Sequence, residues 1–143
     1  VELRVRRSGG HVTRFTLRGH AECGEHGSDL VCAATSALVI AAANGLLQHA
    51  GVSRAVRQRS GYFDCSILDC PSADARARAD AILETMISGV RAISQEYPEN
   101  VSVIDFDMLA VATRQAGTSL ELLVQGQIEL KWNSGGVSID QNG

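Results

Sequence analysis

Val1 to Arg7 alternates apolar and basic residues, the period-two pattern of a strand with one covered face. Ser8-Gly9-Gly10 supplies a turn, and a second strand follows with Thr13, Phe15 and Leu17 on one face. From Asp29 to about Gln48 the apolar spacing becomes helical, and Gly51 stops it. Arg54 to Arg59 and Tyr62 to Leu68 then read as a hairpin around Ser60-Gly61. A second helix is predicted from about Ala73 to Glu96, entered through Pro71 with Ser72 as N-cap. Ala79, Ile82, Leu83, Met86, Val90 and Ile93 fall on one side of it. Pro98 ends it, and Val101 to Phe106 forms a further strand. The order ββαββαβ predicts an α+β fold, an antiparallel or mixed sheet with both helices packed against it.

That pattern occupies residues 1–106, and residues 107–143 form a C-terminal extension. Within the extension, Met108 to Gln115 is compatible with a short helix, and Leu120 to Trp132 has strand-like stretches. Trp132 is read as a packing residue of the tail, and the closing NSGGVSIDQNG as loose chain or an accessory hairpin.

Composition narrows the class. A chain of 143 residues with 45% hydrophobic and 20% charged residues is expected to be one globular, soluble domain. Aromatics make up only 4%, so the core is expected to consist of small aliphatic side chains. Leu30 to Leu47 is apolar but interrupted by Thr35, Ser36, Asn44 and Gly45, and reads as a buried helix, not a membrane span. The strand-like start shows no leader pattern, so the four cysteines, at 23, 32, 65 and 70, are expected to be reduced in a cytoplasmic protein. Cys65, between Phe63 and Ile67 on an apolar strand face, is accounted for by packing, and Cys70 precedes Pro71 at the helix entry.

The net charge of −3 gives no general case for nucleic-acid binding, and none is expected. Twelve arginines supply nearly all the positive charge, and eight of them (4, 6, 7, 14, 18, 54, 57 and 59) fall in the early strands. They read as a solvated sheet face, with a basic surface for an acidic or nucleic-acid partner as the sharper alternative. No stacking aromatics are interleaved with them, which weakens the case for a single-stranded RNA platform.

The chemistry concentrates in GHAECGEHGSDLVCAATS, residues 19–36. With Asp29 as N-cap, Cys32 occupies the third helical position. The positive end of the helix dipole favours an anionic sulfur there. First-turn N–H groups, including that of Cys32, are candidate oxyanion donors. His20 ends a strand, a rigid mount, and an imidazole can take the thiol proton and return it to a leaving amine. Ser36, four residues beyond Cys32, shares its helix face.

Two other readings stay open at this point. His20, Cys23, His26 and Cys32 offer four zinc-type ligands, though without a paired C-x2-C knuckle. Both His20 and Cys32 could also be plain structural residues at a loop-to-helix junction. His49, at the end of the first helix, suits the helix C-terminus, and His11 is expected to be exposed in a hairpin.

The pieces GHA (19–21), GSDLVCAATS (27–36) and SGYFDCSI (60–67) together resemble the bacterial ribosomal-processing cysteine proteases, the Prp family. The order of elements over residues 1–106 is similar as well. The resemblance implies that Cys32 is the nucleophile and His20 its base, with Gly19, Asp29 and Ser36 at the family's other recurrent site positions. It implies a homodimer, no metal or organic cofactor, and a loop near Glu22 to Ser28 that rearranges when substrate enters. Family members remove a short N-terminal extension from large-subunit ribosomal protein twenty-seven, cutting after an aromatic residue. Thr35 stands where an aliphatic residue is usual, and residues 107–143 extend past the usual end of the family. A non-catalytic ribosome-associated binding module using the arginine-bearing sheet is the alternative function.

Overall fold

A computed structural model of the chain describes residues 1–21, 29–109, 128–133 and 136–141. The elements run β1 (Glu2–Ser8), β2 (His11–Arg18), α1 (Leu30–Gln48), β3 (Ser53–Arg59), β4 (Tyr62–Asp69), α2 (Ala73–Glu96) and β5 (Ser102–Asp107). This is the predicted ββαββαβ order. The five strands form one sheet in the order β3-β4-β2-β1-β5. β1 and β5 are parallel and the other pairs antiparallel, so the sheet is mixed. Beyond them, β6 (Ile128–Asn133) and β7 (Gly136–Gln141) pair antiparallel, where a hairpin was one expectation. Residues 110–115 of the expected short helix lie outside the described residues.

The core lies between the sheet and the two helices. Leu3, Val5, Phe15, Val39, Leu46, Leu83, Met86, Ile87 and Val90 are buried there. Ala42, Ala43, Ala75 and Ala79 of the two helices are buried as well, and the helices approach closely. A Cβ on Gly89 would meet Leu38 Cδ1 at 3.0 Å, so the missing side chain of α2 receives a leucine of α1. On length and composition alone α1 could cross a membrane. In this fold Val31, Thr35, Val39, Ala42, Ala43 and Leu46 are buried, and the helix serves as a core element.

Two details differ from the alternation and periodicity. The expected face Thr13, Phe15, Leu17 breaks at Thr13, which is half-buried while Val12 is buried. The cause is a register shift between Arg6 and Arg7, which pair with Arg14 and Val12 and leave Thr13 unmatched. One extra residue flips the side-chain parity and turns Val12 inward. On α2, Ile82 and Ile93 are only half-buried, whereas Ala75 and Ile87 join the core. This helix packs on both the sheet and α1, so its buried arc is wider than one stripe.

An ionic cluster ties α2 to the parallel edge of the sheet. Arg7 grips Asp105 through Nε–Oδ1 at 2.7 Å and Nη2–Oδ2 at 2.9 Å, and also pairs with Glu84 of α2. Arg91 adds Nη2–Oδ2 at 2.7 Å. The hydrogen bonds from Arg7 hold the Asp105 carboxyl below the usual carboxylate range, against a smaller opposing effect of burial. Because the folded value lies below the unfolded one, this stabilisation is present in full above the unfolded carboxylate value, about 4. It is lost as the pH falls through the lower folded value. The thermal midpoint is therefore expected to hold steady from neutral pH to about 5 and to drop below about 4. Asp105→Asn should cost about 1–3 kcal/mol at pH 7 and flatten that acid limb, as read by circular-dichroism melts across pH.

Candidate active site

Strand β2 lies at the centre of the sheet, and its end is fixed from two sides. Gly19 adopts φ +84° and its N–H donates to the Gly61 carbonyl at 2.9 Å. Asn100 Nδ2 donates to the Ala21 carbonyl at 2.8 Å. His20, between these tethers, is exposed, and its ring lies against the β3–β4 turn. A Cβ on Gly61 would come within 2.9 Å of His20 Nε2, and Gly61 itself has φ +65°. Only glycine accepts both that backbone and that neighbour.

The other wall is the start of α1. Asp29 is the N-cap, its Oδ1 accepting from the Cys32 N–H at 2.9 Å and its carbonyl from Ala33 N–H at 3.0 Å. Cys32 is half-buried at the third helical position, and Ser36 follows one turn later. His20, Cys32 and Ser36 line one small cleft of about 80 Å³, together with Gly19, Gln58, Gly61 and Tyr62. Leu17, Val39, Ile40 and Phe63 also line it.

Four of the five predicted site residues thus meet in one cleft, and Asp29 stands beneath them as the cap. One expectation is corrected. The Cys32 N–H, a candidate oxyanion donor in the sequence, is taken by the Asp29 carboxylate. Helix geometry leaves the N–H groups of Leu30 and Val31 without intrahelical acceptors in the same turn. The sequence reading missed Gln58, Gly61 and Tyr62 as cleft residues. For Gly61 and Tyr62 the signal was the SGYFDCSI segment, but nothing local shows that this turn folds against His20.

Among the described residues no group of three or more His, Cys, Asp or Glu converges in a way that could hold a metal. Of the four zinc-type ligands, Cys23 and His26 lie outside the described residues, as does the loop from 22 to 28. The side chain of Trp132 lies outside them too. His49 is the exposed C-cap of α1. His11 is also exposed, with Nδ1 2.7 Å from Asp80 Oδ2. Cys65 is fully buried, and burial pushes its thiol up to about 11, which makes it a poor nucleophile. Thr35 is accommodated in the core because its hydroxyl donates to the Val31 and Cys32 carbonyls, at 2.9 and 3.0 Å.

The model of the family described as cysteine protease Prp matches residues 1–102. The chain belongs to the Prp cysteine protease family. A curated Prp relative, the ribosomal processing cysteine protease of Bacillus subtilis, is 32% identical over 106 residues, covering 72% of this chain and 95% of that protein. A Staphylococcus aureus relative with the same description is 31% identical over 94 residues, 64% of this chain and 85% of that protein. Among solved structures, S. aureus Prp with a covalently linked product peptide superposes with a TM-score of 0.65 at 27% identity, over 73% of this chain and 98% of that one. S. aureus Prp with a substrate peptide gives a TM-score of 0.62 at 25% identity, with the same coverage. The α+β architecture is therefore the Prp fold, and the family's activity is cysteine proteolysis.

Gly61 offers a direct probe of the contact that seats the histidine in this Prp fold. Gly61→Ala should cost about 1–2 kcal/mol of backbone strain and displace the imidazole. The expected result is a lower thermal midpoint together with a shifted His20 ring signal by nuclear magnetic resonance, the remaining histidine signals staying in place.

Proposed function

We propose that this Prp-family chain is an endopeptidase in which Cys32 is the nucleophile and His20 the proton carrier. The observation that carries the reading is that both residues, from separate elements, line one cleft at the start of α1. In this reading the Cys32 sulfur attacks a peptide carbonyl in an extended segment while His20 takes the thiol proton. His20 returns that proton to the leaving amine, and water then hydrolyses the thioester. The N-terminus of α1 favours the tetrahedral oxyanion, with Leu30 and Val31 N–H as the donors that capping leaves over. Asp29 acts through Cys32 by holding the first turn, and Ser36 stands on the same helix face to orient substrate or water. Gly19 supplies the backbone turn that presents His20. The chemistry requires no metal or organic cofactor.

The proposed substrate is the N-terminal extension of large-subunit ribosomal protein twenty-seven, removed in support of ribosome assembly. The descriptions of the B. subtilis and S. aureus relatives as ribosomal processing proteases support this. The same reading assigns proteolysis to residues 1–106, leaves 107–143 as an accessory segment, and places a homodimeric enzyme in the cytoplasm.

Incubation with the extended N-terminal peptide of that ribosomal protein, read by mass spectrometry, tests the proposal. A single cut is expected, abolished in Cys32→Ala, slowed about 100-fold or more in His20→Ala, and retained in Cys65→Ala. Cleavage that survives Cys32→Ala would sink the dyad. An intact peptide beside folded, reduced protein would sink the substrate.

A further inference from the structure

The face of the sheet turned away from α1 and α2 carries a second pattern. Since Leu3, Val5, Phe15, Leu17, Phe63 and Cys65 point into the core, their alternate neighbours point the other way. The strand registers arrange those neighbours in three rows. They read Arg59-Tyr62-Arg18-Glu2-Ser102, then Arg57-Asp64-Thr16-Arg4-Ile104, then Ala55-Ser66-Arg14-Arg6-Phe106. Six arginines and two carboxylates occupy these positions, a local excess of positive charge on a chain whose net charge is −3.

Among the described residues, two of the six arginines are held in ion pairs and the charge of Arg57 acts on Asp64. Arg14 is bound to Asp64 at 2.7 Å and Arg4 pairs with Glu2. Arg6, Arg18, Arg57 and Arg59 are exposed and form no ion pair among the described residues. Aromatic rings lie among them. The guanidinium carbons of Arg59 and Arg18 sit 4.8 and 5.5 Å from the Tyr62 ring centre, and that of Arg6 sits 5.9 Å from Phe106. Along the chain only the core residue Phe15 falls between these arginines, whereas the fold sets Tyr62 and Phe106 among them in space. This removes the objection that the sequence raised against a single-stranded RNA platform.

We propose that this face binds single-stranded RNA, with arginines on the phosphates and the Arg–Tyr62 and Arg6–Phe106 stacks offering π surfaces to bases. Five strands give a platform roughly 20 Å wide, on the scale of the short sites that nucleic-acid-binding sheet faces hold. An acidic peptide would match the charge but leave the ring stacks unused. A membrane surface calls for aliphatic anchors, and Ile104 is the one large aliphatic among these positions. Arg59 and Tyr62 also line the cleft, so bound RNA would lie beside the active site.

Fluorescence anisotropy of the full chain with a labelled single-stranded RNA of about twelve nucleotides, across a salt series, tests this without any turnover. Binding that weakens with salt is expected. The triple variant Arg6→Ser, Arg18→Ser, Arg57→Ser should bind about tenfold or more weakly and flatten the log–log salt slope by about two. Phe106→Leu, which keeps every charge, should lose about fivefold for RNA and nothing for polyglutamate of equal charge. No binding at low salt, or equal binding by the triple variant, would overturn the proposal. So would polyglutamate bound as tightly as RNA, which assigns the face to an acidic peptide. A triple variant that changed oligomeric mass with RNA affinity intact would assign it to a second copy of the chain.

Discussion

The hydrogen bond from the Gly19 N–H to the Gly61 carbonyl holds the end of the central strand against the β3–β4 turn at 2.9 Å. Both glycines have positive φ there, so the chain can leave β2 sharply while keeping contact with its neighbour. His20 is the next residue, and its ring has room because Gly61 has no Cβ. The imidazole is therefore mounted on sheet geometry. The start of α1 faces the same cleft, so the histidine and the cysteine are brought together by the packing of helix on sheet.

That packing depends on small side chains. Alanines and valines line the inner side of α1, and Leu38 fits against Gly89 of α2. A close, well-filled contact resists shifts of the helix, and a shifted helix would carry Cys32 with it. Asp29 fixes the first turn by accepting from the Cys32 N–H, which stabilises the helix start and occupies that donor. Thr35 illustrates the same economy, since its hydroxyl is satisfied inside the helix and lets a polar residue occupy a core position.

The two faces of the sheet have separate roles. One is apolar and closes the core. The other is an arginine lattice built around the buried Asp64, which accepts from Arg14 Nε and from the Thr16 hydroxyl. Burial would raise that carboxyl, but these bonds and the charges of Arg14 and Arg57 outweigh it and keep it below the usual range. Asp64 thereby anchors Arg14 while leaving its neighbours exposed.

The sequence by itself determined the elements and their order, because those depend on local signals. Hydrophobic period, the Asp29 and Ser72 caps, the Ser60-Gly61 turn and Pro98 act within a few residues of chain. Cys32, His20 and Ser36 were also readable, since their positions at a strand end and a helix start follow from the same local rules. What only the tertiary structure decided depends on contacts between residues far apart in the chain. The inward turn of Val12 comes from a register shift against β1. The place of Gly61 and Tyr62 in the cleft comes from β4 pairing with β2. The aromatic rings among the arginines come from strands that are distant in sequence and adjacent in the sheet. Periodicity tells which side of a strand a residue takes, but only pairing tells which residue stands beside it.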